Sequence, residues 1–261
     1  MDKQLILRGV VISIFTLAAV LFALPVFRDY QALRLAGHQT VHYQTKLPRI
    51  QPAQTIRPVT LSTMLNYVKQ QNRDAVGQVA IPAIGLRDDV YTSLTNANLT
   101  FGAVSLFPKR QPINHNLVLV AHNMGLRNLH FGSLTKTKIA QTVYLQYLGK
   151  YYVYKIHQKN TITENQIERV HDTVGESRIS LVTCSDATRT VNRVLVQARL
   201  TRVVTGEKAL KETRNKIGQT RKANQQAIKN EEVRAWWLPL FLIGIGWIGA
   251  IKLVFWTTRR K

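Results

Sequence analysis

The chain has 261 residues, 36 lysines and arginines against 14 acidic residues, and a formal charge of +22. A single cysteine excludes a disulfide staple within the chain. The basic residues are dispersed and no Cys/His set has zinc-site spacing, so no nucleic acid partner is expected; an anionic membrane surface fits the charge better.

Residues 1–8 precede Gly9–Phe27, an apolar run without a charge. It is long enough to cross a hydrocarbon core about 30 Å thick. The run is long for a signal-peptide core and no clear small-x-small cleavage site follows, so a retained transmembrane helix is expected. Residues 28–76 are polar and basic, broken by Leu47-Pro48-Arg49 and Arg57-Pro58. They read as a stalk with a short helix around Leu61–Gln70.

Residues 77–205 read as one β-rich domain. Strands are expected at Gln78–Ile84, Asn116–Ala121, Thr142–Tyr147, Tyr151–Gln158, Ser177–Cys184 and Arg193–Val204, with a hairpin turn at Leu148-Gly149-Lys150. Short strands separated by turns predict an all-β fold, an antiparallel barrel or sandwich. Residues 206–235 lack Pro and are rich in Lys, Arg, Glu and Gln, which predicts a charged helical linker. Trp236–Trp256 is apolar all round, with tryptophans at both ends and Lys252 placed to snorkel, which predicts a second transmembrane helix. The tail, residues 257–261, ends Arg259-Arg260-Lys261. Two spans put both termini on one side. The basic tail places that side in the cytoplasm and the β domain on the extracellular face of a multi-pass membrane protein, against the opposing vote of Arg28 and Arg34.

Cys184 closes the apolar run Ile179-Ser180-Leu181-Val182-Thr183 and is followed by the polar Ser185-Asp186-Ala187-Thr188-Arg189. A lone buried cysteine is the competing reading, but a thiol at a strand-to-loop junction is accessible. A free thiol is only a few per cent thiolate at neutral pH. Chemistry therefore requires a partner that holds the thiolate and an acid for the leaving group. Among seven histidines, His122 ends the run Asn116–Ala121 and precedes Asn123-Met124-Gly125, a turn-like sequence. His115 and His130 are rivals that end no clear strand. Arg193 opens the strand after Cys184 and suits an oxyanion or a substrate carbonyl; Arg189 competes with it.

These residues resemble the sortase family. Leu181-Val182-Thr183-Cys184 followed by Arg193 leading into Val194-Leu195-Val196 is similar to the family's Thr-Leu-x-Thr-Cys…Arg signature. Leu119-Val120-Ala121-His122-Asn123-Met124-Gly125 resembles the strand that carries the family's histidine, with Ala121 where Gly or Ser is frequent. Phe131-Gly132-Ser133-Leu134, Val143-Tyr144-Leu145, Ile81-Pro82-Ala83-Ile84-Gly85 and Leu94–Ala103 resemble further class A segments, the last a short helix. The resemblance covers about residues 77–205.

It implies a closed antiparallel eight-stranded sortase-type β-barrel and a thiol transpeptidase of the Gram-positive cell wall. Cys184 would be the nucleophile and His122 the acid/base. Arg193 would hold the oxyanion and bind substrate, and Thr183 would shape the substrate groove. The implied reaction cleaves an LPxTG-type sorting signal after Thr and passes the surface protein to a peptidoglycan precursor amine. No cofactor is expected. Calcium, which some class A members hold in a carboxylate cluster, is the one candidate, and no such cluster maps onto a chain with 14 acidic residues. The C-terminal span is more typical of class C pilin polymerases, whose lid carries an Asp-Pro-aromatic plug; this chain has no Asp-Pro dipeptide. A lidless class C-like enzyme, a membrane-anchored cysteine peptidase and a non-catalytic wall-binding module are the alternatives.

Overall fold

The computed structural model describes residues 3–37, 40–67, 72–126, 128–188 and 190–259. In chain order these form α1 (Lys3–Gly37), β1 (Thr40–Tyr43), α2 (Leu61–Tyr67), β2 (Asn72–Ala75), β3 (Gly77–Ile81), β4 (Leu86–Tyr91), α3 (Asn96–Phe101), β5 (Ala103–Ser105), β6 (Asn116–Val120), β7 (Thr142–Tyr147), β8 (Lys150–Thr163), β9 (Arg178–Cys184), β10 (Asn192–Val203) and α4 (Glu207–Arg259). The chain divides into two compact units, Met1–Arg34 with Lys229–Lys261, and Leu35–Ile228.

In the larger unit eight strands close into a barrel in the order β10-β8-β7-β3-β4-β5-β6-β9. The closed eight-stranded barrel is therefore present, but it is not antiparallel throughout. The β4–β5 and β6–β9 pairings are parallel. The first is made by the α3 crossover, and the second joins strands distant in sequence. Alternate side chains, among them Leu117, Leu119, Leu145, Tyr154, Leu181 and Val196, fill the interior. The hairpin expected at Leu148-Gly149 joins β7 to β8, with φ of 47° and 78° at those residues, the backbone of a primed two-residue turn.

Sequence patterning missed β4. It reads Leu-Arg-Asp-Asp-Val-Tyr, with Asp88 and Asp89 buried and Arg87 half-buried. Arg87 pairs with Asp89 at 2.5 Å, and the Tyr43 hydroxyl donates to Asp89 at 2.6 Å. Burial, then the charge of Asp89, raises the Tyr43 phenol above its usual range. The short helix resembled by Leu94–Ala103 is α3, whose N-cap Thr95 hydroxyl accepts from Asn98 N–H at 3.2 Å.

Part of the segment expected as a stalk lies along the barrel. The Gln51 and Gln54 amides donate to Ser93 Oγ and Leu94 O at 2.9 Å, and the Arg57 amide donates to Asn96 Oδ1 at 2.8 Å. Helix α2 ends at Tyr67, and positions 68–70 of the expected helix lie outside the described residues. The expected charged linker is the first part of α4, and it too is packed on the barrel. Leu210 and Ile217 sit with Ala80, Tyr151 and Val153 in one cluster. Thr213, Thr220 and Asn224 continue the same buried stripe at helical spacing.

In the smaller unit the Trp236 ring lies 4.8 Å from Tyr30 and 6.4 Å from Phe27 between centroids. Two described helices are long and apolar enough to cross a membrane: Gly9–Leu35, with mean hydropathy 2.7, and Glu207–Lys252, with 1.5. Large apolar side chains such as Phe22, Trp237 and Phe241 are exposed on them.

Candidate active site

The outer face of β6, β9 and β10 collects the chemistry. On β6, Leu117 and Leu119 point into the barrel, so Val118 and Val120 point out. On β9 and β10 the same alternation turns Val182 and Leu195 outward, and with them Cys184 and Arg193. Cys184 and Arg193 are directly opposed in the β9–β10 ladder. Val120 is opposed to Val182 in the parallel β6–β9 ladder, and the Ala121 amide extends it by donating to Val182 O at 3.1 Å. Beyond the end of β6, the Asn123 side chain donates to Cys184 O at 3.1 Å, so the segment that carries His122 runs beside the cysteine. Cys184 and Arg193 are thus paired on one face, with that segment next to them.

Cys184 is a free thiol and half-buried. His122 is half-buried, but its Nε2 is enclosed and has no hydrogen-bond partner among the described residues. Burial, and then the charge of His130, pulls the His122 ring down to about 4. Its resting form at neutral pH is the neutral imidazole, a base with an unused nitrogen, and not the cation that thiolate chemistry leads one to expect from sequence. The permanent positive charge at the rim is Arg193. Its guanidinium donates to Glu164 Oε2 at 2.6 Å, to Asn192 O at 3.0 Å and to Thr190 O. A carboxylate and two carbonyls thereby fix its direction.

Thr183 is the inward neighbour of Cys184 on β9. It is buried, and its hydroxyl donates to Ala121 O at 2.9 Å. It shares the inward parity of Leu181 and ties β9 to the residue before His122 from beneath. A group so placed aligns the two strands. Asn123 went unremarked in sequence beyond its turn-like setting. Its Nδ2 donates to Cys184 O at 3.1 Å, and its Oδ1 accepts from the Gly125 amide at 3.1 Å. It bridges the histidine loop to the cysteine.

Of the rivals, His115 lies just before β6, at the end remote from His122, and its Nδ1 meets Asp172 at 2.9 Å. Arg189 lies outside the described residues. Among the described residues no group of three or more His, Cys, Asp or Glu side chains could hold a metal ion.

A family profile for the sortase domain matches residues 79–201. Sortase A of Listeria monocytogenes is 27% identical over 219 residues, covering 80% of this chain and 96% of that protein. YwpE of Bacillus subtilis, whose name assigns it to the sortases, is 31% identical over 85 residues, covering 33% of this chain and 82% of that protein. The chain belongs to the sortase family. A solved structure of L. monocytogenes sortase A overlays with a TM-score of 0.48 at 27% identity, covering 50% of this chain and 91% of that one. As a member of that family, this sortase is a cysteine transpeptidase acting on surface proteins. The matched span begins in β3 and ends in β10, so it contains His122, Thr183, Cys184 and Arg193.

Proposed function

We propose that this sortase cleaves an LPxTG-like sorting signal after its Thr and transfers the surface protein to an amine of a peptidoglycan precursor. His122 takes the thiol proton, and Cys184 Sγ attacks the Thr carbonyl. The oxyanion forms beside Arg193, whose charge-assisted donors stabilise it. The tetrahedral species collapses to a thioester as His122 returns the proton to the departing Gly amine. An incoming amine then attacks the thioester, with His122 as its base, and restores the thiol. The half-buried Val120 and Val182 on this outer face suit the Leu-Pro portion of the signal. The two apolar helices support membrane anchoring, and with the basic tail they support an extracellular catalytic domain with cytoplasmic termini. Anionic lipids and wall polymers are the surfaces its charge fits.

The single observation that supports this reading is the Arg193–Cys184 pairing in the β9–β10 ladder, with Asn123, the neighbour of His122, donating to Cys184 O. The test is incubation of the full chain in detergent micelles with an LPxTG peptide, with and without an amine acceptor, followed by intact-mass analysis. Expected is an acyl adduct on Cys184 that the amine converts to an amide. Absence of any adduct overturns the reading. An adduct released only to the acid despite added amine points to a peptidase. Preference for a pilin lysine over a peptidoglycan-type amine points to the class C-like alternative, which the C-terminal apolar helix favours.

A further inference from the structure

His130 lies in the same loop as His122 and is wholly enclosed. Its Nε2 lies 3.1 Å from Thr100 O on α3. A carbonyl only accepts, so that nitrogen carries a hydrogen. Its Nδ1 lies 3.2 and 3.3 Å from the two oxygens of Asp88 on β4, which is itself buried and also accepts from the Asp89 amide at 3.1 Å. A ring flanked by a carbonyl and a carboxylate is satisfied on both sides as an imidazolium. Burial opposes that charge most strongly, yet the charge and hydrogen bond of Asp88, the bond to Thr100 O and the charge of Asp89 together raise His130 above its ordinary value.

The backbone is equally committed. His130 has φ of 49°, the left-handed region that a bulky side chain seldom occupies without support. The next amide, Phe131 N–H, donates back to His122 O at 3.3 Å. At Gly132 a Cβ would stand 2.3 Å from Leu126 O, so the loop is drawn tight upon itself. The loop therefore starts at the His122 carbonyl and returns to it, with His130 pinned to β4 and α3. Resting on the function proposed above, we propose that the Asp88–His130 pair is a positioning unit for His122. It fixes the far end of the histidine loop and sets a positive charge near the His122 ring. The charged groups bearing on the pair are Asp89 and Arg87 on β4, and the titratable neighbour on the loop is His122; α3 contributes the Thr100 carbonyl.

Asp88→Asn separates charge from position. An amide at 88 can donate to Nδ1 of a neutral ring while Nε2–H stays on Thr100 O, so both hydrogen bonds survive and the imidazolium does not. The test follows the His122 Cε1–H resonance against pH in the full chain in micelles, assigned by comparison with His122→Gln. In the wild-type chain the ring titrates near 4. In Asp88→Asn the midpoint moves to higher pH while staying below 6.5, because burial remains. His130→Gln is expected to give the same upward movement and to lower kcat by about 10²-fold through misplacement of the base, with KM little changed. Should that variant fail to fold, Asp88→Asn alone decides. An unmoved His122 midpoint in Asp88→Asn, or full kcat in a folded His130→Gln, overturns the proposal. The resonance reads the coupling without turnover, so failure of the peptide reaction is distinguishable from failure of this inference.

Discussion

Two outer faces of one barrel have opposite fates. On β3, β7 and β8 the outward residues Ala80, Tyr144, Tyr151 and Val153 are covered by the chain's own α4 through Leu210 and Ile217. On β6, β9 and β10 the lower part is covered by Leu106, Phe107 and Val170, while Val120, Val182, Cys184 and Arg193 stay partly open. Both faces are built from alternating strands with similar outward apolar residues. The one that α4 covers serves stability. The other keeps Cys184 and Arg193 partly exposed at its rim.

Experiments that break this contrast should differ in kind and in size. Cys184→Ala or His122→Ala on the open face should abolish acyl transfer while leaving the unfolding midpoint in urea nearly unchanged; a peptide-transfer assay beside a denaturant curve reads both. Arg193→Ala should lower kcat by about 10²–10³-fold, as for loss of one oxyanion donor. Glu164→Gln, which loosens the clasp on that guanidinium, should cost less. A mild Arg193→Ala would move the assignment to Arg189.

On the covered face, Ile217→Ala should cost about 2–5 kcal/mol of stability, measured by urea unfolding, with kcat unchanged at a temperature where the variant is folded. Asn224 sharpens the comparison, because its Nδ2 donates to Gly85 O at 3.1 Å and to Asn128 O at 2.9 Å. Asn128 belongs to the histidine loop, so here the covered face touches the machinery of the open one. Asn224→Ala should cost about 1–3 kcal/mol and also lower kcat slightly; an unaltered rate would show that α4 only stabilises.

Acidification should act on the open face alone. The His122 ring titrates near 4 instead of 6.5, so the base stays unprotonated as pH falls through 6.5. The acid limb of kcat/KM should lie near 4. A limb at an ordinary histidine value would mean that His122 is less enclosed in solution.

Much of the barrel was legible because its strands are buried on at least one face and rich in β-branched residues, as in Leu117-Val118-Leu119-Val120 and Ile179–Val182. Strand β4 was not, because Arg87, Asp88 and Asp89 are held by partners on β1 and in the histidine loop that no local pattern announces. Strand β5 is three residues long and leaves no periodicity to read. The buried stripe of α4 was not legible, because Thr213, Thr220 and Asn224 fill positions where a core-facing helix would carry apolar residues.

At the site, His122 and Cys184 stood out because each ends an apolar run. Asn123 and Thr183 have their roles through hydrogen bonds across more than sixty positions, where residue type says nothing of the partner. The order of apolar runs, turns and the one thiol along the chain decided that there is a β domain between two apolar helices and which residues could react. Closure of the barrel decided which of them meet, since strand register converts separation along the chain into adjacency. It also decided the state of His122, because its surroundings come from strands and loops that the linear order keeps apart.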